Sequence, residues 1–137
     1  MLELTFQQVT YEQVKPLRRS SENAIIHRED DWFALCAEGQ IAAVMGLSPP
    51  RRNVTKVHGA FTVPEHRRRG LYTALLIAVA EHVDRTMPWL EIRADSLPEG
   101  VGSLVKAGFV EFRPTRQFKK FSIIYMRRPC LNARALS

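Results

Sequence analysis

The sequence predicts an α/β chain in which a mixed sheet carries helices on both faces, and three observations lead there. The stretch from Val57 to Val79 reads as a strand, a basic turn and a long apolar helix. Trp89–Ala94 supplies a further strand after it, and a strand–helix–strand unit of that length implies a right-handed parallel crossover. Earlier in the chain, Trp32–Ala37 and Ile41–Leu47 are apolar almost throughout, so both of their faces must be covered.

Each element has a local reason. Leu2, Leu4 and Phe6 alternate with polar residues, as a strand with one buried face does. Thr10-x-x-Gln13 is a capping box that opens a helix, and Pro16 predicts a kink or two short pieces near Leu17. Ser20–Asn23 reads as a second helix start or a loop, and His27–Asp31 as a charged connection. Glu38-Gly39-Gln40 has the length and the glycine of a tight hairpin. Ser48–Asn53 is a loop, and the central strand runs from about Lys56 to Val63 before Pro64 stops it. After Pro88 and the strand at Trp89–Ala94, Ser96 is expected to cap a helix running to Ala107, with Gly108 as its left-handed stop. Phe109–Phe112 and Phe118–Met126 are the last two strands expected.

At 137 residues with 45% apolar content, one domain over 1–137 is the expectation. Residues 128–137 form its tail, either loose or packed on a partner, and a homodimer is left open. The longest apolar stretch, inside Leu71–Ala80, falls short of the ~20 residues that cross a bilayer, so no membrane partner is expected. MLELTFQQ lacks the basic start and cleavage site of a secretion signal. Cys36 and Cys130 show neither a disulfide framework nor metal-ligand spacing, which points to a reducing cytoplasm and no metal. The net charge of +6 favours polyanionic partners, a multiply phosphorylated cofactor or a nucleic acid among them.

The chemistry gathers at His66-Arg67-Arg68-Arg69-Gly70. A helix entered through such a turn offers unpaired N–H groups and a partial positive charge, and three arginines strengthen that field. The expectation is a phosphate or pyrophosphate cradle. Arg67-x-x-Gly70 after a strand, together with the later Lys106-Ala107-Gly108-Phe109, resembles the GNAT N-acetyltransferase superfamily. Arg67 and Gly70 match its acyl-CoA signature, whereas Tyr72 stands where glycine or alanine is usual. The resemblance covers the second half of the chain. It implies a mostly antiparallel sheet of about six to seven strands around the central parallel β-α-β unit.

It also implies acyl transfer from acetyl-CoA, or another acyl-CoA, to an amine acceptor. Cofactor phosphates would sit on the backbone from Arg68 through Leu71 and Tyr72 to Thr73, with Arg67, Arg68 and Arg69 adding charge. By the same resemblance, backbone groups of Phe61, Thr62 and Val63, on a strand that bulges and splays from its neighbour, would receive the thioester. His58, placed by strict alternation on one face with Ala60 and Thr62, is the candidate general base, with Glu91 in reserve. Its alternative is a histidine filling a half-buried strand position. His27, His66 and His82 are read as structural. Many family members carry a tyrosine four residues before the glycine of the Gly-Phe step, as acid for the departing thiolate. Leu104 holds that position here, which leaves Tyr72, Ser103, Tyr125 or solvent for the role. Tyr72 is tolerable in the cradle only if its ring points away from the cofactor.

Arg113, Arg116, Lys119 and Lys120 crowd the last connection, and Arg51, Arg52 and Lys56 form another basic group. They read either as a solvated rim or as a site for an anionic acceptor: a nucleotide, a nucleic acid or an acidic protein. The short connection before Trp32 points to an open acceptor cleft. The alternative function is a catalytically weak or inactive module that binds acyl-CoA or nucleic acid on the same fold.

Overall fold

The computed structural model describes residues 3–20 and 26–135. The helix start expected at Ser20–Asn23 lies, apart from Ser20, outside them. β1 (Leu4–Val9), β2 (Asp31–Ala37), β3 (Gln40–Leu47) and β4 (Val54–Thr62) form an antiparallel meander. Glu38 and Gly39 join β2 to β3 at φ 53° and 77°, the left-handed pair whose twist matches the strands of a two-residue hairpin. α2 (Leu71–Thr86) then crosses to β5 (Glu91–Ser96), which pairs parallel to β4. β6 (Val110–Gln117) and β7 (Ser122–Arg128) complete one seven-stranded sheet in the order β1-β2-β3-β4-β5-β7-β6. All its other pairs are antiparallel.

The capping box forms as read, with Gln13 N–H donating to Thr10 Oγ1 and Thr10 N–H donating to Gln13 Oε1. It opens α1 (Tyr11–Val14), and around Pro16 the chain tightens into a 3-10 stretch, Lys15–Ser20. The helix expected from Ser96 begins later. Ser96 is the last residue of β5 and its hydroxyl donates to the Leu97 carbonyl, so it caps nothing. A 3-10 turn at Pro98–Gly100 precedes α3 (Val101–Lys106). Gly108 stops α3 at φ 96°, and Phe109 N–H closes back on the Leu104 carbonyl.

The last hairpin also differs from its expected bounds. β6 runs on through Pro114 because it is the edge strand, where a missing N–H breaks no ladder bond. Phe118–Phe121 is its tip, closed by Phe118 N–H on the Phe121 carbonyl with the two rings stacked at 4.7 Å. Within the tail, α4 (Leu131–Ala135) docks through Asn132 N–H on the Pro88 carbonyl. Arg128 and Arg134 both hold the Asp84 carboxylate of α2.

Two apolar clusters separate the faces. Leu75, Leu76, Val79 and Leu104 pack with Met45 and Ile92 under α2 and α3, whereas Val14 packs with Trp32 and Val44 under α1. Helices therefore cover both faces of the sheet. No helix among the described residues is long and apolar enough to cross a membrane.

Candidate active site

β4 and β5 pair only where Val54–Lys56 face Glu91–Arg93, although the strands continue to Thr62 and Ser96. The cause lies in β4. Val44 faces Phe61 and Gly46 faces His58, so Gly59 and Ala60 together oppose the single residue Met45. Gly59 takes φ 55°, which a residue with a Cβ adopts at a cost, and the resulting bulge bends the strand away from β5. The gap is a cavity of about 250 Å³ lined by His58, Ala60, Tyr72, Asp95, Ser96 and Leu104, among others.

The bulge also corrects the expected alternation. His58 shares a face with Phe61, on the α1 side, while Ala60 packs into the α2 cluster and Thr62 stands across from Ala43. An extra residue shifts the period of two by one.

The end of β4 feeds the turn. Val63 N–H donates to the Ala42 carbonyl at 2.9 Å, so its amide is already committed to β3. Alternation along the strand turns Phe61 the same way and leaves Thr62 facing the open edge. The Thr62 carbonyl accepts Arg67 Nε at 3.2 Å, and Arg67 N–H donates to the Pro64 carbonyl. Arg68 at φ 65° and Gly70 at φ 70° then bend the backbone into the first turn of α2. A Cβ on Gly70 would meet nothing within 4 Å; its φ, not crowding, calls for glycine. Among the described residues no side chain caps α2, so the amides of Leu71, Tyr72 and Thr73 face outward unpaired within the helix. Arg67, Arg68 and Arg69 are all exposed around them. This is a fitting cradle for a diphosphate.

His58 Nδ1 lies 2.9 Å from Oδ2 of Asp30, whose side chain is 1% exposed. The turn carrying Asp30 is pinned from below: Trp32 lies buried across Gly46, and its Nε1–H donates to the His27 carbonyl at 3.1 Å. The His27 ring stands 4.9 Å from that of His58. Sequence reasoning missed Asp30 and His27 as site residues. They stand 28 and 31 positions from His58, and only the β2–β3–β4 pairing brings them beside it.

Tyr72 turns its ring into the domain, against the α2 cluster and beside Leu104, rather than into the cradle. Burial pushes its hydroxyl above the usual phenol range, which keeps it protonated. Ser103 lies outside this cavity; its hydroxyl meets that of Thr73 at 2.6 Å and ties α3 to α2. Glu91, the reserve base, is engaged by Arg93 at 2.6 Å and by Arg127 at 4.0 Å. It lines neither the small cavity nor the cleft described next.

On the α1 side, a cleft of about 830 Å³ opens over β4, β5, β7 and β6, and His58 lines it as well. His58 therefore borders both the splay and the cleft, as does Asp95. Arg51, Arg52, Lys56, Arg93 and Arg113 line the cleft, facing the acids Glu29, Asp30 and Asp95. Lys56 pairs with Asp95, and Arg93 with Glu91. Arg113 lies over the rings of Phe112 and Tyr125, at 4.6 and 5.1 Å, which places Tyr125 in the cleft rather than the splay. Arg116 instead stacks on Phe118. The two basic groups of the sequence thus meet in one cleft only through Arg51, Arg52, Lys56 and Arg113.

A seven-stranded mixed sheet with one splayed parallel pair beside an uncapped helix N-terminus is the frame, and the comparisons give its family. The sequence profile of the acetyltransferase (GNAT) family matches residues 2–109. The chain belongs to that family, whose members use acetyl-CoA or another acyl-CoA. No curated protein matches the chain. Among solved structures, the ribosomal-protein-S18-alanine N-acetyltransferase of Escherichia coli superposes with a TM-score of 0.77 at 14% identity, over 93% of this chain and 94% of that one. A spermidine N-acetyltransferase chimera from Vibrio cholerae gives 0.74 at 11% identity, over 98% of both chains. An acyl-CoA N-acyltransferase from Pseudomonas aeruginosa gives 0.70 at 14%, over 93% and 99%. At such identities the likeness is one of fold.

Proposed function

We propose that the protein transfers an acetyl or other small acyl group from CoA to an amine by direct attack, with His58 as general base. The observation that carries this reading is the position of His58, which with Asp95 borders both the β4–β5 splay and the open cleft. The acyl-CoA diphosphate rests on the amides of Leu71, Tyr72 and Thr73, inside the field of Arg67, Arg68 and Arg69. Thr62 N–H, on the open edge, polarises the thioester carbonyl. As the acceptor nitrogen bonds to the carbonyl carbon and the C–S bond breaks, His58 takes the amine proton and Tyr72 gives its own to the departing sulfur. Proton return from His58 to Tyr72 through solvent completes the cycle. Tyr72 takes this role over Ser103 because it lines the cavity beside Leu104.

The acceptor is an amine that carries negative charge. Among the described residues, Arg51, Arg52 and Arg113 line the cleft without a carboxylate in ion-pair reach. The test is thiol release from acetyl-CoA with matched amines. An amine bearing a carboxylate or phosphate is expected to exceed spermidine in kcat/KM, and the reverse order removes the anionic acceptor. A second reading, a non-catalytic acyl-CoA or nucleic-acid module, is favoured by Leu104 at the position of the usual acid. No turnover with any amine, together with salt-dependent nucleic-acid binding, would establish it.

Two variants probe the parts separately. Gly70→Asp strains the turn and sets a carboxylate against the phosphates, so calorimetry is expected to show CoA bound about tenfold more weakly. Tyr72→Phe is expected to lower kcat by about 10- to 100-fold with KM for acetyl-CoA little changed. An unchanged kcat would pass the acid's role to solvent.

A further inference from the structure

Asp30 is a carboxylate almost wholly removed from water, and only one of its oxygens has a partner. Oδ2 meets His58 Nδ1 at 2.9 Å, while Oδ1 is buried with no hydrogen-bond partner among the described residues. An arrangement chosen for stability alone would not leave a buried carboxylate oxygen unsatisfied, since that costs free energy. Orphaned polar atoms of this kind gather at functional sites.

We infer that Asp30 is a positioning residue for acyl transfer, holding His58 with its proton on Nδ1 so that the lone pair of Nε2 is presented where splay and cleft meet. The inference rests on His58 being the base. A carboxylate only accepts, so the hydrogen bond to Oδ2 fixes the tautomer. The acceptor's proton then passes to Nε2 as its nitrogen bonds to the carbonyl carbon, and the imidazolium that results stays bonded to Oδ2. With Oδ1 unserved, that imidazolium is the nearest compensation Asp30 has. The other ionisable groups around the ring are His27 and Glu29 from the preceding turn, Lys56 and Asp95 from β4 and β5, and Tyr72 from α2. None of them hydrogen-bonds to either ring nitrogen.

Asp30→Asn separates positioning from packing. An amide of the same size can either accept from Nδ1–H or, turned over, donate to a bare Nδ1, so it no longer selects the tautomer. The expected result is a fall in kcat of about 10²-fold. KM for acetyl-CoA should hold, and Tm should stay within about 2 °C of native or rise. In ¹⁵N-histidine NMR, native His58 should carry its proton on Nδ1, and the variant should show a mixture. Loss of Tm with kcat of the folded variant at the native value would make Asp30 structural and overturn the inference. An unchanged kcat and tautomer would overturn it too, while a crippled His58→Ala would leave the base reading standing. If the native protein turns over no amine, the base reading fails and with it this role. If the variant does not fold, native NMR decides: a proton on Nε2 of His58 overturns the inference, and one on Nδ1 sustains it.

Discussion

His58→Ala is expected to lower kcat for acetyl-CoA-dependent transfer by about 10²- to 10⁴-fold, the usual worth of a positioned general base. CoA affinity should not change, because the proposed diphosphate cradle is built from the amides of Leu71, Tyr72 and Thr73 and the arginines before them, not from His58. The measurement is thiol release under saturating acceptor, with CoA binding by calorimetry alongside. The side chain is 29% exposed, so its loss leaves no large void in the core. Retained turnover in a folded variant would remove His58 from the chemistry and leave it filling its strand position.

Asp84→Ala is expected to cost about 3 kcal/mol of stability and lower Tm by about 10 °C, read by thermal unfolding. Arg128 is 7% exposed and places both terminal nitrogens on Asp84 at 2.8 Å, with Nε on the Ala107 carbonyl. Removing the carboxylate strands that guanidinium in the interior and takes from Arg134 of α4 its ion pair to α2. The same pair sets an acid limb. Hydrogen bonds from Arg128, and then from Arg134, hold the Asp84 carboxyl below its ordinary value of 3.8 against the opposing effect of burial. Its contribution is thus fully present above pH about 4 and is lost as pH falls through the lower folded value. The variant should lack that part of the native protein's acid sensitivity. An equal loss of Tm in both proteins between pH 5 and 3 would contradict it.

Much of the fold was legible because its signals are local. Thr10 and Gln13 satisfy each other's amides within one turn, Glu38-Gly39 fits one hairpin geometry, and Arg67-x-x-Gly70 leads into an apolar helix. Boundaries were less legible where a neighbour decides. Ser96 stays in β5 because β7 pairs it through Ile124, and β6 runs past Pro114 because no strand flanks its outer edge. Tail residue Arg128 reads as one more basic residue until its distant partner Asp84 is placed.

The chain by itself determined the turn proposed as the cradle, since a glycine turn and the first amides of a helix are neighbours in sequence and bring their own field. It also determined that a histidine would stand on the strand leading there. Only the folded sheet decided what surrounds that histidine. The two-for-one step at Gly59 and Ala60 changes the side on which His58 emerges, and three adjacent strands bring a carboxylate from the turn before β2 against its ring. Contacts between residues far apart in the chain come from strand register, and register is a property of the assembled sheet.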